Sequence, residues 1–155
     1  MPPTFGYGTA LMNDLGWNAD AIANSRHGDM ASLSLISSSF KKNLLEWLSF
    51  SPFPMETGEY KLHRYYPTIP DTFVYSNLFL AFDHGEDLLG QDVYRLSEED
   101  SSAILKITSV NHETQIIAGE FQGTYIRDTS RVDRHPDIAD TIRFTDGKFK
   151  VKLQF

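Results

Sequence analysis

The chain has 155 residues, 41% hydrophobic and 23% charged, a balance that suits one folded domain over residues 1–155 rather than a disordered chain. Fourteen Lys and Arg stand against 21 Asp and Glu, for a formal charge of −7, and only Lys148, Lys150 and Lys152 form a basic row. Such a chain offers no basic face to displace counterions from phosphates, which excludes nucleic acid as a partner, and an anionic membrane surface would repel it.

There is no cysteine, and hence no disulfide, thiolate zinc site or cysteine nucleophile. No apolar run is long enough for a membrane-spanning helix. Met1-Pro2-Pro3-Thr4 has neither the basic nor the apolar region of a signal peptide. Eleven Phe, seven Tyr and two Trp favour sheet over helix, because flat aromatic side chains suit a pleated, half-buried surface.

In chain order, Leu33 and Leu35 alternate with serines, as in a half-buried strand. Phe40, Leu44, Trp47 and Leu48 fit helical spacing as well as a strand, with Ser37 to Ser39 as a possible cap, and Leu44 to Phe50 is read as strand. Tyr65-Tyr66 lies between His63-Arg64 and Pro67, where exposed tyrosines stack on sugar rings or anchor a partner and buried ones close an end of the core. Thr72 to Phe82 is apolar on both faces, which predicts a central strand covered on both sides. The acidic stretch Asp83-His84-Gly85-Glu86-Asp87, with Asp92 nearby, has the oxygen ligands of a calcium site but reads as a solvated loop.

Leu105 and Ile107 begin an alternating strand, Asn111 to Thr114 supplies a turn, and Ile117, Gly119, Phe121, Gly123 and Tyr125 share the next strand's inner face. Glycines inside such a strand mark a bulge or a place where a large neighbour packs over bare backbone. Arg127 to Asp140 is a long polar connection, of a length that serves recognition or is simply mobile; Arg131, Asp133, Arg134 and His135 are its candidate binding residues. Finally, Asp146-Gly147 between two alternating runs is a strong hairpin signal. A two-residue turn there would pair Thr145 with Lys148, Phe144 with Phe149 and Ile142 with Val151, turning the three lysines to water. These patterns predict an all-β domain: an antiparallel β-sandwich or partly closed barrel with a C-terminal meander and at most one short helix.

Four segments resemble a family of small exported lipoproteins of Bacteroidota. They are Gly16-Trp17-Asn18-Ala19-Asp20-Ala21, Thr57-Gly58-Glu59-Tyr60-Lys61-Leu62, Ile117-Ala118-Gly119-Glu120-Phe121 and Thr145-Asp146-Gly147-Lys148-Phe149, in the family's order. Gly16 stands directly before Trp17, where the family has spacer residues. The resemblance implies an all-β fold and export to the periplasm or outer-membrane surface. It also implies a lipid-modified Cys upstream as the only membrane attachment, so that signal peptide and anchor Cys would be missing from this chain. It supplies no catalytic residue.

No nucleophile elbow, zinc-protease helix, phosphate loop or EF-hand pattern occurs; Gly6-Tyr7-Gly8 lacks the lysine and helix of a phosphate loop. His27, His63, His84, His112 and His135 show no ligand spacing. The expectation is a non-catalytic envelope binding or accessory module without metal or cofactor, its partner a glycan or another envelope protein. Tyr65, Tyr66, Arg131, Asp133, Arg134 and His135 are its candidate contacts. The alternatives are a carbohydrate-active enzyme using paired carboxylates and a purely structural envelope lipoprotein.

Overall fold

The computed structural model describes residues 6–25, 28–39, 44–64, 73–83, 89–128 and 139–154. These form ten strands and no helix: β1 (Gly6–Met12), β2 (Leu15–Ser25), β3 (Met30–Ser39), β4 (Leu44–Pro54), β5 (Gly58–His63), β6 (Val74–Asp83), β7 (Leu89–Leu96), β8 (Ile104–Asn111), β9 (Ile116–Arg127) and β10 (Thr141–Gln154). The helical alternative around Leu44 to Leu48 gives way to β4.

All ten strands belong to one mixed sheet whose pairings run β1–β2–β3–β4–β6–β7–β9–β10 and back to β1. The sheet splits between β6 and β9: β6 pairs with β5 at Val74 and Tyr75, β5 leads through β8 to β9, and the rest of β6 pairs with β7. Neighbours are antiparallel apart from two short parallel contacts, β2–β10 and β5–β6. The result is a partly closed barrel, with β8–β9–β10 as the expected antiparallel meander.

The core fills the barrel because each strand buries every second residue. Leu33 and Leu35 on β3, Leu48 and Phe50 on β4, Leu78 and Leu80 on β6, and Ile117, Phe121 and Tyr125 on β9 all point inward. At the centre Trp17 meets Phe144 edge-on at 5.0 Å, Tyr125 meets the same ring at 5.9 Å, and Phe50 leans on Phe121 at 5.5 Å. Tyr125 hydrogen-bonds Ser76, and complete burial pushes its phenol above the usual range.

One sequence expectation is overturned here. Asp146-Gly147 does not reverse the chain; β10 runs through it without a turn. Asp146 alone takes a left-handed φ of +51°, and the pairing to β9 jumps from Phe144↔Gly123 to Gly147↔Phe121. One extra residue on β10 is therefore taken up as a β-bulge. Phe144 does not face Phe149; it pairs with Gly123, while Phe149 pairs with Gly119. Both rings nevertheless enter the core, because the extra residue shifts the alternation from even to odd positions. A Cβ on Gly119 would lie 2.7 Å from the Phe149 ring, so this glycine is bare backbone under a large neighbour. Lys148, Lys150 and Lys152 do face outward.

The same device recurs on β4. Ala31 pairs with Phe53 and Leu33 with Phe50, so one extra residue near the cis Ser51–Pro52 bond brings both phenylalanines inside. Proline is tolerated there because a bulge interrupts the ladder.

Candidate functional site

The sequence candidates Tyr65, Tyr66, Arg131, Asp133, Arg134 and His135 lie outside the described residues, as do His27, His84 and residues 85–87 of the acidic stretch. His63, at the end of β5, stacks on Phe73 with ring centroids 4.1 Å apart; burial, then the Lys61 charge, holds its pKa below the usual histidine value. His112 sits exposed in the β8–β9 turn. Among the described residues, no group of three or more His, Asp or Glu side chains is placed to hold a metal.

Two other arrangements emerge. The first is a buried polar cluster where β7 and β9 meet. Arg127, read from sequence as the start of a polar connection, is the last residue of β9, 6% exposed and opposite Tyr94. Its Nε and Nη2 donate to the Tyr94 hydroxyl at 3.0 and 2.9 Å, and its guanidinium lies 3.9 Å from Asp92 and 3.6 Å from Asp140. Tyr94 in turn donates to the Ala139 carbonyl at 2.6 Å, the Arg127 amide to the Asp140 carbonyl and the Asp128 amide to that of Val93, both at 2.8 Å. Burial pushes the Tyr94 phenol up, with Arg127 working against it. Asp92, the acid beside the expected loop, thus sits inside the barrel with a cation.

A second inward carboxylate, Glu46, accepts from the Trp17 indole at 3.3 Å. Glu46 and Asp92 both pair across to Leu80 from its two sides. Both are buried, so they hold the cation and the indole in place rather than meet solvent. The cluster pins both ends of the β9–β10 connection.

The second arrangement is on the outer face of β3, β4 and β6. Trp47 pairs with Ile36 on one side and Phe79 on the other, and Phe79 pairs with Val93, giving an apolar row across four strands. Leu45, beside Ala81, extends it. Leu45, Trp47 and Phe79 are 40%, 44% and 38% exposed. Beside them runs a groove of about 570 Å3, whose other walls include Ser32, Ser34, Ser49 and Ser51. The sequence reading of Thr72 to Phe82 as covered on both sides is therefore corrected: Leu78 and Leu80 face the core, whereas Phe79 faces solvent.

Large apolar groups on one open face are uncommon and mark contact surfaces. Across β8, β9 and β10, by contrast, the outer face carries Lys106, Glu120 and Lys148 in a row of alternating sign. The signal for the groove was present in the sequence. Leu45 and Trp47 occupy the same face as Ser49 and Ser51, so β4 has apolar residues on both sides, and only pairing with Phe79 shows that one side stays open. No family model matches the chain, and neither curated proteins nor solved structures include a match to it.

Proposed function

We propose that the protein is a non-catalytic binding module of the bacterial envelope and that the groove on β3, β4 and β6 is its ligand-bearing face. The observation that carries this is the row of exposed Trp47, Phe79 and Leu45 along a groove large enough for a small ligand or a segment of a larger one. The envelope setting, with export and an upstream lipid anchor, rests on the resemblance to the Bacteroidota lipoproteins, and it makes a glycan or another envelope protein the partner.

The enzymatic alternative needs two carboxylates open to a substrate. Glu46 and Asp92 are buried, one with an indole N–H and the other with a guanidinium, so these two do not form such a pair.

The test is retention of envelope fractions by the immobilised protein and by a Trp47→Ala, Phe79→Ala double variant. Both side chains face outward but pair across the sheet, so the variant is expected to stay folded with a modestly lower melting midpoint. Retention by the parent and its loss in the folded variant is the expected result. Equal retention by both, or none by either, overturns the assignment of the groove. Labelling of the full-length product with a fatty-acid analogue in cells tests the anchor.

A further inference from the structure

We infer that the groove takes an uncharged saccharide, with a sugar ring stacked on Trp47 and its hydroxyls met by the serines beside it; this rests on the groove being the binding face. Three features of the groove lead there.

The first is charge. The chain carries 14 basic and 21 acidic residues, yet every described residue lining the groove is neutral. Among the described residues of the walls, an acidic glycan meets no cation and a basic peptide no carboxylate. A neutral ligand is the electrostatic complement of this surface.

The second is the mixture of ring and hydroxyl. Trp47 and Phe79 provide flat apolar faces, and Ser49 with its partner Ser34, then Ser51 and Ser32, line the groove to one side of them. Among the described residues, Ser32, Ser34 and Ser51 make no side-chain hydrogen bond, and Ser49 makes a long one of 3.4 Å to the Asn77 carbonyl. A second protein's apolar face, or a lipid tail, would strip water from these hydroxyls and give nothing back. A pyranose does both jobs, with C–H groups on its faces and hydroxyls around its rim.

The third is rigidity. Trp47 stands on β4, paired along its length with β3 and β6, so the backbone that carries the indole is held in place before a ligand arrives.

The experiment is titration of the whole chain with neutral oligosaccharides (gluco-, xylo- and chito-hexaoses), the neutral polysaccharide fraction of a Gram-negative envelope, and oligogalacturonates. It is read by calorimetry and by tryptophan emission. Trp17 is buried and Trp47 exposed, so a solvent-dependent change in emission reports on the groove. A neutral saccharide is expected to bind, with a blue shift, an affinity insensitive to salt, and a loss of about tenfold or more in Trp47→Ala. Ser49→Ala is expected to weaken binding less while leaving the blue shift in place.

Preferential binding of the oligogalacturonates, with affinity falling as salt rises, overturns the neutral-ligand inference but leaves the groove a binding face. Binding of no saccharide also overturns it. In that case, continued Trp47-dependent retention of an envelope protein fraction preserves the broader proposal, and loss of that retention ends both.

Discussion

Two short polar dipeptides, each flanked by alternating residues, have opposite fates in this fold. Asn13-Asp14 reverses the chain: both residues take left-handed φ values, +49° and +66°, and Met12 pairs directly with Leu15 across them, as a type I′ turn requires. Asp146-Gly147 carries the stronger turn signature and does not reverse the chain, with only Asp146 left-handed. The difference lies in what flanks them. Asn13 is tied to the start of β10, its amide donating to the Arg143 carbonyl at 2.8 Å and its side chain accepting from the Arg143 amide at 2.8 Å. Asp146 sits midway along β10, between β1 and β9, and pairing on both edges keeps the strand running straight on. A turn dipeptide specifies that a left-handed residue is cheap there; whether one residue uses it or two is decided by neighbouring strands.

The largest effect that would sharpen this contrast is at the two glycines. A Cβ on Gly147 would lie 2.5 Å from the Phe121 carbonyl oxygen and 2.7 Å from its ring, whereas one on Gly16, beside the true turn, meets nothing within 4 Å. Gly147→Val is expected to cost about 3 kcal/mol by overpacking, and Gly16→Val to stay within about 0.5 kcal/mol. Urea denaturation measures both. A Gly147→Val midpoint equal to the parent's would show that β10 does not press against Phe121.

Deletion of Asp14 comes next. One residue cannot close a hairpin, so the Met12–Leu15 pair must open into a three-residue loop that disturbs the Asn13 bonds to β10. The expected loss is about 2 kcal/mol in the same assay.

Deletion of Asp146 is the smallest and the most discriminating. Removing the bulge residue leaves Phe144 and Phe149 four apart, an even spacing that a regular strand places on one face. The expected cost is only about 1 kcal/mol, from lost local twist. Were Asp146-Gly147 a two-residue hairpin after all, the same deletion would destroy the turn, and a protein that failed to fold would reverse the comparison.

The candidate site divides in the same way. That β4 and β6 are strands with apolar residues on both faces can be read from Leu45, Trp47, Leu48, Phe50, Leu78, Phe79 and Leu80. Which face is left open cannot, because covering a face takes another layer and the local pattern is blind to one. Arg127 is the converse case. As part of a polar run it looks solvated, yet its position opposite Tyr94 draws it inside, where Asp92 balances its charge and the Tyr94 hydroxyl accepts its N–H groups.

What the amino-acid order determined by itself was local: the all-β class, the inward faces of β3 and β9, the outward lysines of β10 and the three-strand meander. Each follows from period-two alternation and from contacts between strands adjacent in the chain. Tertiary structure alone decided the rest. Closing the sheet pairs β1 with β10, Gly6 opposite Val151, from opposite ends of the chain. Such pairing settles whether a left-handed residue becomes a turn or a bulge, and which of two apolar faces stays in water, because both depend on the register and partners of strands that no short window of sequence contains.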